Sequence, residues 1–157
     1  MAVYKGRESL RVLKTKLKRQ SEELLQRSVE RVVEVLVDNS PVGADEYLSK
    51  LGPVPNEAGD FKNGWAVGVN APNNATRGAD TSGSGAIADS ISQSKSVTLK
   101  SKIYITNNVH YAGNVEHGWD ANLLYGWKAK EGYHVVENTK DQLRAILTTT
   151  AIEVLNT

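Results

Sequence analysis

The sequence predicts an α+β fold: a long N-terminal helix, a small, mainly antiparallel β-sheet with a short helix, and a C-terminal helix packed on the sheet. Residues 8–39 contain neither Gly nor Pro and are dense in good helix formers. Residues 61–70 and 100–106 instead show the alternating and β-branched patterns of strands. A helical period of apolar residues returns after Gly132. The 157 residues suffice for a single domain, with residues 61–157 as its α+β core.

Composition excludes several classes of protein. The chain is 39% hydrophobic and 24% charged, which is ordinary for a globular protein. It has no cysteine, so disulfides, thiolate metal sites and cysteine nucleophiles are excluded. A net charge of +1 gives no overall attraction to nucleic acid or acidic lipid. No apolar run approaches the roughly 20 residues of a membrane span, and the charged N-terminus does not resemble a signal peptide, so we expect synthesis in the cytoplasm and no membrane partner.

The helix predicted over residues 8–39 is expected to end at Ser40-Pro41, because proline cannot continue a helix. About 30 residues make a rod of roughly 45 Å, whereas a compact domain of this size has a diameter near roughly 40 Å. We therefore expect the helix to reach past its own domain. Its apolar residues at helical spacing are Leu10, Leu13, Leu17, Leu24, Val32 and Val35, widened in the second half by Leu25, Val29, Val33 and Leu36.

The first half of this helix is strongly basic. Its cations outnumber the single acid Glu8 and are Lys5, Arg7, Arg11, Lys14, Lys16, Lys18 and Arg19. Such a face is suited to DNA or to an acidic neighbouring subunit. Charge runs on helices are more often only solvated faces, which is the simpler interpretation. Arg11, Lys14 and Lys18 are the candidate contact residues.

Two segments lack the patterns of helices and strands and are expected to project as loops. Residues 40–60 hold three of the four prolines, around a small apolar island with a helical turn expected at residues 45–50. Residues 71–85 are rich in Asn, Gly, Ser and Thr, which is typical of a flexible surface loop. Long loops in compact domains are often functional, so Tyr47 and Leu51 in the first loop are candidate contacts.

The stretch from residue 103 to residue 119 predicts a strand, a tight corner and a short helix. Asn107-Asn108 suits the corner because Asn tolerates turn geometry. Tyr111 and Val115 are four residues apart and would share one helical face. Gly118 is placed to end these turns, and Trp119 follows it.

Aromatic side chains are concentrated in the same region, since six of the ten lie between positions 104 and 133. Interfaces favour Tyr and Trp because these residues bring large amphipathic areas. They can equally fill the core beneath the sheet, and the sequence does not separate the two. The candidate interface residues here are Tyr111, Glu116, His117, Trp119, Tyr125 and Trp127.

Two further helices are predicted from periodicity. Residues 86–97 form a short, weak helix with Ile87, Ile91 and Ser94 on one side. The C-terminal helix has one apolar stripe, made of Val135 or Val136 with Leu143, Ile146, Leu147, Ala151, Val154 and Leu155.

No catalytic motif emerges. Histidines seven residues apart do not share a helical face, no HExxH pattern is present, and no Ser lies in a G-x-S-x-G turn. Gly83-Ser84-Gly85 lacks the G-K-[ST] of a phosphate loop. We therefore predict no enzyme activity, cofactor or metal, and keep a metal-dependent hydrolase as a remote alternative. The cluster that such an enzyme would use is His110, Glu116, His117 and Asp120, with His134 further on.

The order of several short motifs resembles the minor tail and tail-completion proteins of tailed bacteriophages. In that family a helix ends in a Ser- or Thr-Pro-Val-Asp-Thr-Gly-like turn, and a strand carries Trp after Asn. A Tyr-Ala pair followed by a (Val or Leu)-Glu-(Tyr, Phe or His)-Gly block precedes a final helix. The matching residues here are Ser40-Pro41-Val42, Asp60-Phe61-Lys62-Asn63-Gly64-Trp65, Ile103-Tyr104-Ile105-Thr106-Asn107-Asn108, Tyr111-Ala112 and Val115-Glu116-His117-Gly118-Trp119.

This resemblance implies a structural protein of the virion neck. Such a subunit would form a ring, hexameric or matching a twelve-fold connector, between head-closure proteins and the tail tube, with packaged DNA in the lumen. The tail terminator, which caps the tube, is the alternative within the same class. A DNA-binding module using the basic helix is a second alternative from another class.

Overall fold

A computed structural model describes residues 2–42, 57–119 and 130–156, and of residues 2–8, Trp119 and Lys130 it describes the backbone alone. The described residues confirm a mixed α+β fold with a long N-terminal helix, an antiparallel sheet and a C-terminal helix. In chain order the elements are α1 (Ala2–Asn39), α2 (Asp60–Asn63), β1 (Trp65–Val69), α3 (Ser84–Ser94), β2 (Ile103–Asn107), α4 (Ala112–His117), β3 (Gly118–Trp119), β4 (Lys130–Glu131) and α5 (Val135–Leu155).

Helix α1 ends at Asn39, as predicted, and begins earlier than residue 8. A buried hydrogen-bond chain holds this end in place. Ser40 Oγ donates to the Leu36 carbonyl at 2.6 Å and accepts from Trp65 Nε1 at 2.9 Å. The early start includes Gly6, whose helix-propensity cost of about 1 kcal/mol is too small to interrupt a helix of this length.

Strands β1 and β2 pair antiparallel, with Trp65 opposite Asn107 and Val69 opposite Ile103. This confirms the strand predicted before Asn107-Asn108. The strand predicted from residue 61 is wrong at its start, because Gly59, with a left-handed φ of 95°, turns the chain into the helical turn α2.

Strand β1 is buried along most of its length, and not on one face as its alternation predicted. Val67 is fully buried and Ala66, on the opposite face, is 1% exposed. The second face is covered by residues 71–73, since a Cβ added at Gly68, which shares the face of Ala66, would clash with their backbone.

The edge of β1 that points away from β2 is closed by side chains. The Val67 N–H donates to Asp89 Oδ2 at 3.2 Å, and Arg77 Nη1 donates to the Trp65 carbonyl at 2.7 Å. Asn73 Nδ2 donates to the Val67 carbonyl at 3.0 Å. Unpaired strand edges invite pairing with other chains, so this closure protects the strand. It also ties residues 71–80 to the domain, contrary to the flexible, projecting loop expected there.

The buried face of α3 was predicted in part, since Ser94 is buried and Ile87 is half-buried against the core, whereas Ile91 is not. Its buried residues are Ala86, Ser90 and Ser94, whereas Ile91 is 42% exposed. Small residues let α3 approach α1 closely, and each buried hydroxyl has an acceptor. Ser90 Oγ donates to the Ile87 carbonyl at 2.7 Å, while Ser94 Oγ donates to Glu30 on α1.

Helices α1 and α5 run antiparallel, side by side. Asn39 Nδ2 donates to Thr139 Oγ1 at 3.1 Å near one end of the pair, and Arg31 contacts Glu153 at 2.6 Å near the other. The start of α5 therefore lies beside the end of α1.

The buried stripe of α5 was only partly predicted. It consists of Val135, Thr139, Ile146, Thr150 and Val154. The predicted members Leu143, Leu147 and Leu155 are exposed, the last at 67%. Threonine can replace leucine in the stripe because each buried hydroxyl donates to the carbonyl four residues earlier, at 2.8 Å for Thr139 and 2.7 Å for Thr150.

A turn held together by the carboxylate of Asp80 precedes α3. The hydroxyls of Ser82 and Ser84, each 2.6 Å from Asp80, hold the pKa of that carboxyl well below its usual range, with help from the Ser82 N–H. A carboxyl with a depressed folded-state pKa contributes stability that is present above its unfolded pKa of about 3.8 and is lost as the pH falls toward the folded value.

We therefore expect wild-type protein to lose more stability than the Asp80→Asn variant when the pH falls from 5 to 2. Denaturant titrations of both proteins at several pH values measure the difference. Equal losses would show that the Asp80 turn is not maintained in solution. Asp141→Asn, at an exposed carboxyl on α5, is the matched control.

Candidate interaction surface

Residues 9–19 of α1, here called the tip, are exposed on all sides. The first contacts that join α1 to the rest of the domain lie beyond them. Gln26 Nε2 donates to the Val97 carbonyl at 3.0 Å, and the first buried side chain among residues 9–39 is Ser28. The tip is therefore a helical extension that the described part of the domain leaves uncovered.

Three leucines form an exposed apolar stripe on the tip. Leu10, Leu13 and Leu17 lie at helical spacing and are 67%, 51% and 53% exposed. At about 100° per residue, the stripe lies on the same side of α1 as Arg31 and Asn39, which contact α5. The stripe thus continues a surface that packs against a helix further along, and no described helix covers it.

Cations surround this stripe. Lys18 lies 3.9 Å from Glu22, a contact that contributes little because both groups meet solvent. The other cations of the tip have no carboxylate partner among the described residues: Arg11, Lys14, Lys16 and Arg19. A helix with exposed leucines and unpaired cations is typical of a segment that docks on an acidic, partly apolar protein surface.

The predicted site residues do not form one surface. Arg11, Lys14 and Lys18 lie on the tip, and His117 is exposed at the end of α4. Trp119 lies in β3, where its backbone pairs with Lys130. The candidates that lie outside the described residues are Tyr47, Leu51, Tyr125 and Trp127, as does the helical turn expected at residues 45–50.

Tyr111 belongs to the core, which corrects its assignment as an interface residue. It is 4% exposed and stacks near Phe61, with ring centroids 6.4 Å apart. Burial, reinforced by the nearby carboxylate of Asp60, raises the pKa of its phenol to about 12. Val115 is fully buried, as the shared helical face predicted, and Gly118 ends α4 with a φ of 80°.

Glu116, which is half-buried, acts within the fold. Its carboxylate accepts hydrogen bonds from the backbone N–H groups of Val136, at 3.0 Å, and Glu137, at 3.4 Å. These are the first turn of α5, whose N-cap residue His134 gives no side-chain cap. A carboxylate at a helix N-terminus satisfies free donors and the helix dipole together, so Glu116 is the cap of α5.

We expect Glu116→Ala to lower the free energy of unfolding by about 1–2 kcal/mol, because α5 loses its cap. Glu116→Gln, which keeps an acceptor without the charge, is expected to lose less. His117→Ala changes an exposed neighbour and serves as the control, with a change within about 0.5 kcal/mol. Urea denaturation measures all three. A destabilisation by His117→Ala equal to that by Glu116→Ala would contradict the capping role.

The described members of the predicted cluster are His110, Glu116, His117 and His134. Within residues 2–42, 57–119 and 130–156, no group of three His, Asp or Glu side chains could hold a metal ion. Asp120 lies outside these ranges.

No helix that the structure describes has the length and apolarity to span a membrane.

Comparison with known proteins identifies no relative of this chain. No protein family, curated protein or solved structure matches the chain.

Proposed function

We propose that this protein is a structural subunit of a tailed-bacteriophage neck, a tail-completion protein that assembles as a ring between the head connector and the tail. The observation that carries the proposal is the tip, a basic helical extension with an exposed leucine stripe. A monomeric protein rarely leaves such a surface open, and a subunit that grips its neighbours needs one.

The sequence motifs shared with tail-completion proteins support the same function. They include Ser40-Pro41-Val42 and Val115-Glu116-His117-Gly118-Trp119. In this chain Ser40 holds the end of α1 against Trp65 at 2.9 Å, and Glu116 holds the start of α5. These motif residues hold the helices in place, which suits a protein whose role is to present surfaces to neighbours.

Electron microscopy of the virion that carries this protein tests the proposal. We expect the chain to fit density in a ring at the head–tail junction, adjoining the connector on one side. A ring found only at the head-proximal end of the tail tube, without connector contacts, would identify a tail terminator instead. Absence of the protein from purified virions by mass spectrometry would overturn the proposal.

A DNA-binding module is the second candidate, because four cations of the tip lack carboxylate partners in the described structure. Phosphate contacts make affinity fall steeply with salt. Binding to duplex DNA that weakens on Lys14→Ala or Lys18→Ala, with a correspondingly smaller salt slope, would support this candidate. The exposed leucines favour a protein partner, since phosphates offer them no apolar surface.

A further inference from the structure

The charge of this chain is divided between its first residues and the remainder. Residues 1–19 hold seven of the 19 Lys and Arg but one of the 18 Asp and Glu. Twelve cations and seventeen anions are left for residues 20–157. The first segment therefore carries a net charge of +6 and the rest −5, although the whole chain is nearly neutral.

Much of the negative charge lies at the far end of α1. Because α1 and α5 are antiparallel, the last turns of α1 and the first turns of α5 are neighbours, and the hydrogen bond from Gly59 N–H to the Val42 carbonyl, at 2.6 Å, brings residues 57–60 to the same end. Lys140 and Arg144 are the exposed cations there. The exposed acids, here called the acidic end, are Glu34, Asp38, Glu57, Glu131, Glu137 and Asp141.

The two charged regions cannot neutralise each other within one molecule. From Lys14 to Leu36 the rigid helix rises roughly 33 Å. Electrostatic attraction is screened within about 8 Å at physiological salt. Each region is therefore left to attract a charge of opposite sign on another molecule.

We infer that the tip of one copy docks on the acidic end of a second copy. The inference rests on the proposed function for its ring geometry, and it names the partner of the surface described above. Opposite charges steer the two regions together, and the tip leucines gain apolar surface from Leu143 and Leu147, which are 39% and 43% exposed on α5. A contact between two tips is less favourable, because their like charges repel.

A charge-swap experiment tests this contact. Variant A carries Lys14→Glu and Lys18→Glu on the tip, and variant B carries Glu34→Lys and Asp38→Lys at the acidic end. All four side chains are wholly or largely exposed, and neither Glu34 nor Asp38 has a partner among the described residues, so both variants should fold. In A the tip keeps three cations against two acids, and in B the four remaining acids of the acidic end are matched by four cations, so each variant alone loses most of the attraction between tip and acidic end.

We expect sedimentation velocity at low salt to show self-association of the wild type, weakened by about tenfold or more in A and in B alone. Mixing A with B should restore association, since the unchanged basic tip of B then meets the unchanged acidic end of A. Circular dichroism and thermal unfolding confirm that each variant is folded. Failure of the mixture to associate, or wild-type association by A alone, would overturn the inference. The inference would also be overturned if variant A lost binding to DNA but kept its self-association.

Site-specific cross-linking gives a second, independent measurement. The chain has no cysteine, so Leu13→Cys and Leu143→Cys each introduce a unique thiol. Oxidation of the two variants together should give a disulfide-linked pair faster than oxidation of Leu13→Cys with Ser96→Cys, an exposed control position. Equal rates would contradict the contact.

These outcomes separate the inference from the proposed function. If the wild type forms only a closed dimer, and A and B lose and then regain association as expected, the contact between tip and acidic end is supported but the proposed ring is contradicted. A virion ring in which the tip meets another protein keeps the proposed function and overturns the inference.

Discussion

Replacing Val33 by Asp is expected to unfold the protein, whereas replacing Leu13 by Asp on the same helix leaves it folded. Val33 is fully buried in the core, and a carboxylate there has no partner and no water. The cost exceeds about 4 kcal/mol, which is comparable to the roughly 5–15 kcal/mol stability of an ordinary domain. Leu13 is 51% exposed on the tip, so its replacement should change stability by no more than about 0.5 kcal/mol.

Circular dichroism and urea denaturation of both variants measure this contrast. Val33→Ala is a milder companion that should remain folded, with a loss of about 2 kcal/mol from the removed methyl groups and the cavity they leave. If Leu13→Asp unfolded the protein as Val33→Asp does, the tip would belong to a core and could not serve as a docking surface. If Leu13→Asp stays folded and loses self-association, the leucine stripe is part of the contact.

Replacing Arg77 by Ala is expected to lower the free energy of unfolding by about 2–4 kcal/mol, somewhat less than for a fully buried pair. The Arg77 guanidinium lies 2.9 Å from Asp89 Oδ2, and the two side chains are 18% and 16% exposed. The same guanidinium donates to the Trp65 carbonyl. Its removal leaves a sheltered carboxylate without its cation, with only the Val67 N–H as a partner, and removes the donor to a strand-edge carbonyl.

A double-mutant comparison isolates this effect. Asp89→Asn keeps an acceptor for the Val67 N–H while removing the charge, so Arg77→Ala combined with Asp89→Asn should cost less than the sum of the single changes. Arg144→Ala, at an exposed cation on α5, should be nearly neutral. Additive single changes measured by urea denaturation would contradict coupling between the two side chains. A destabilised Arg77→Ala that also aggregates would indicate that the edge of β1 had opened.

The interaction surface was predictable only in part. The excess of cations before residue 20 and the length of α1 both indicated a projecting basic helix. The leucines of the tip were recognised as a helical stripe but not as a contact surface, because periodicity cannot distinguish a buried stripe from an exposed one. The sequence did hold one signal, because the three tip leucines lie on a different side of α1 from Val29, Val33 and Leu36. Residues of one helix that pack on one core lie on one face of that helix.

Local signals determined the order and limits of several elements. Proline ended α1 after Asn39, the β-branched run before Asn107 formed β2, and Gly118 ended α4. Each of these outcomes depends on the backbone geometry of one or two residues, which the chain carries with it into any environment. The α+β class followed from the same signals because helical and strand periodicities differ.

The tertiary structure decided which faces are buried and what the polar side chains do. Thr139 and Ser90 entered the core because their hydroxyls found carbonyls one turn earlier in their own helices. Asp89 and Glu116 became structural because the fold placed free backbone N–H groups 20 or more residues away within hydrogen-bond distance. Burial is a property of the neighbours that a residue meets, and those neighbours are set by packing between segments that are distant in the chain.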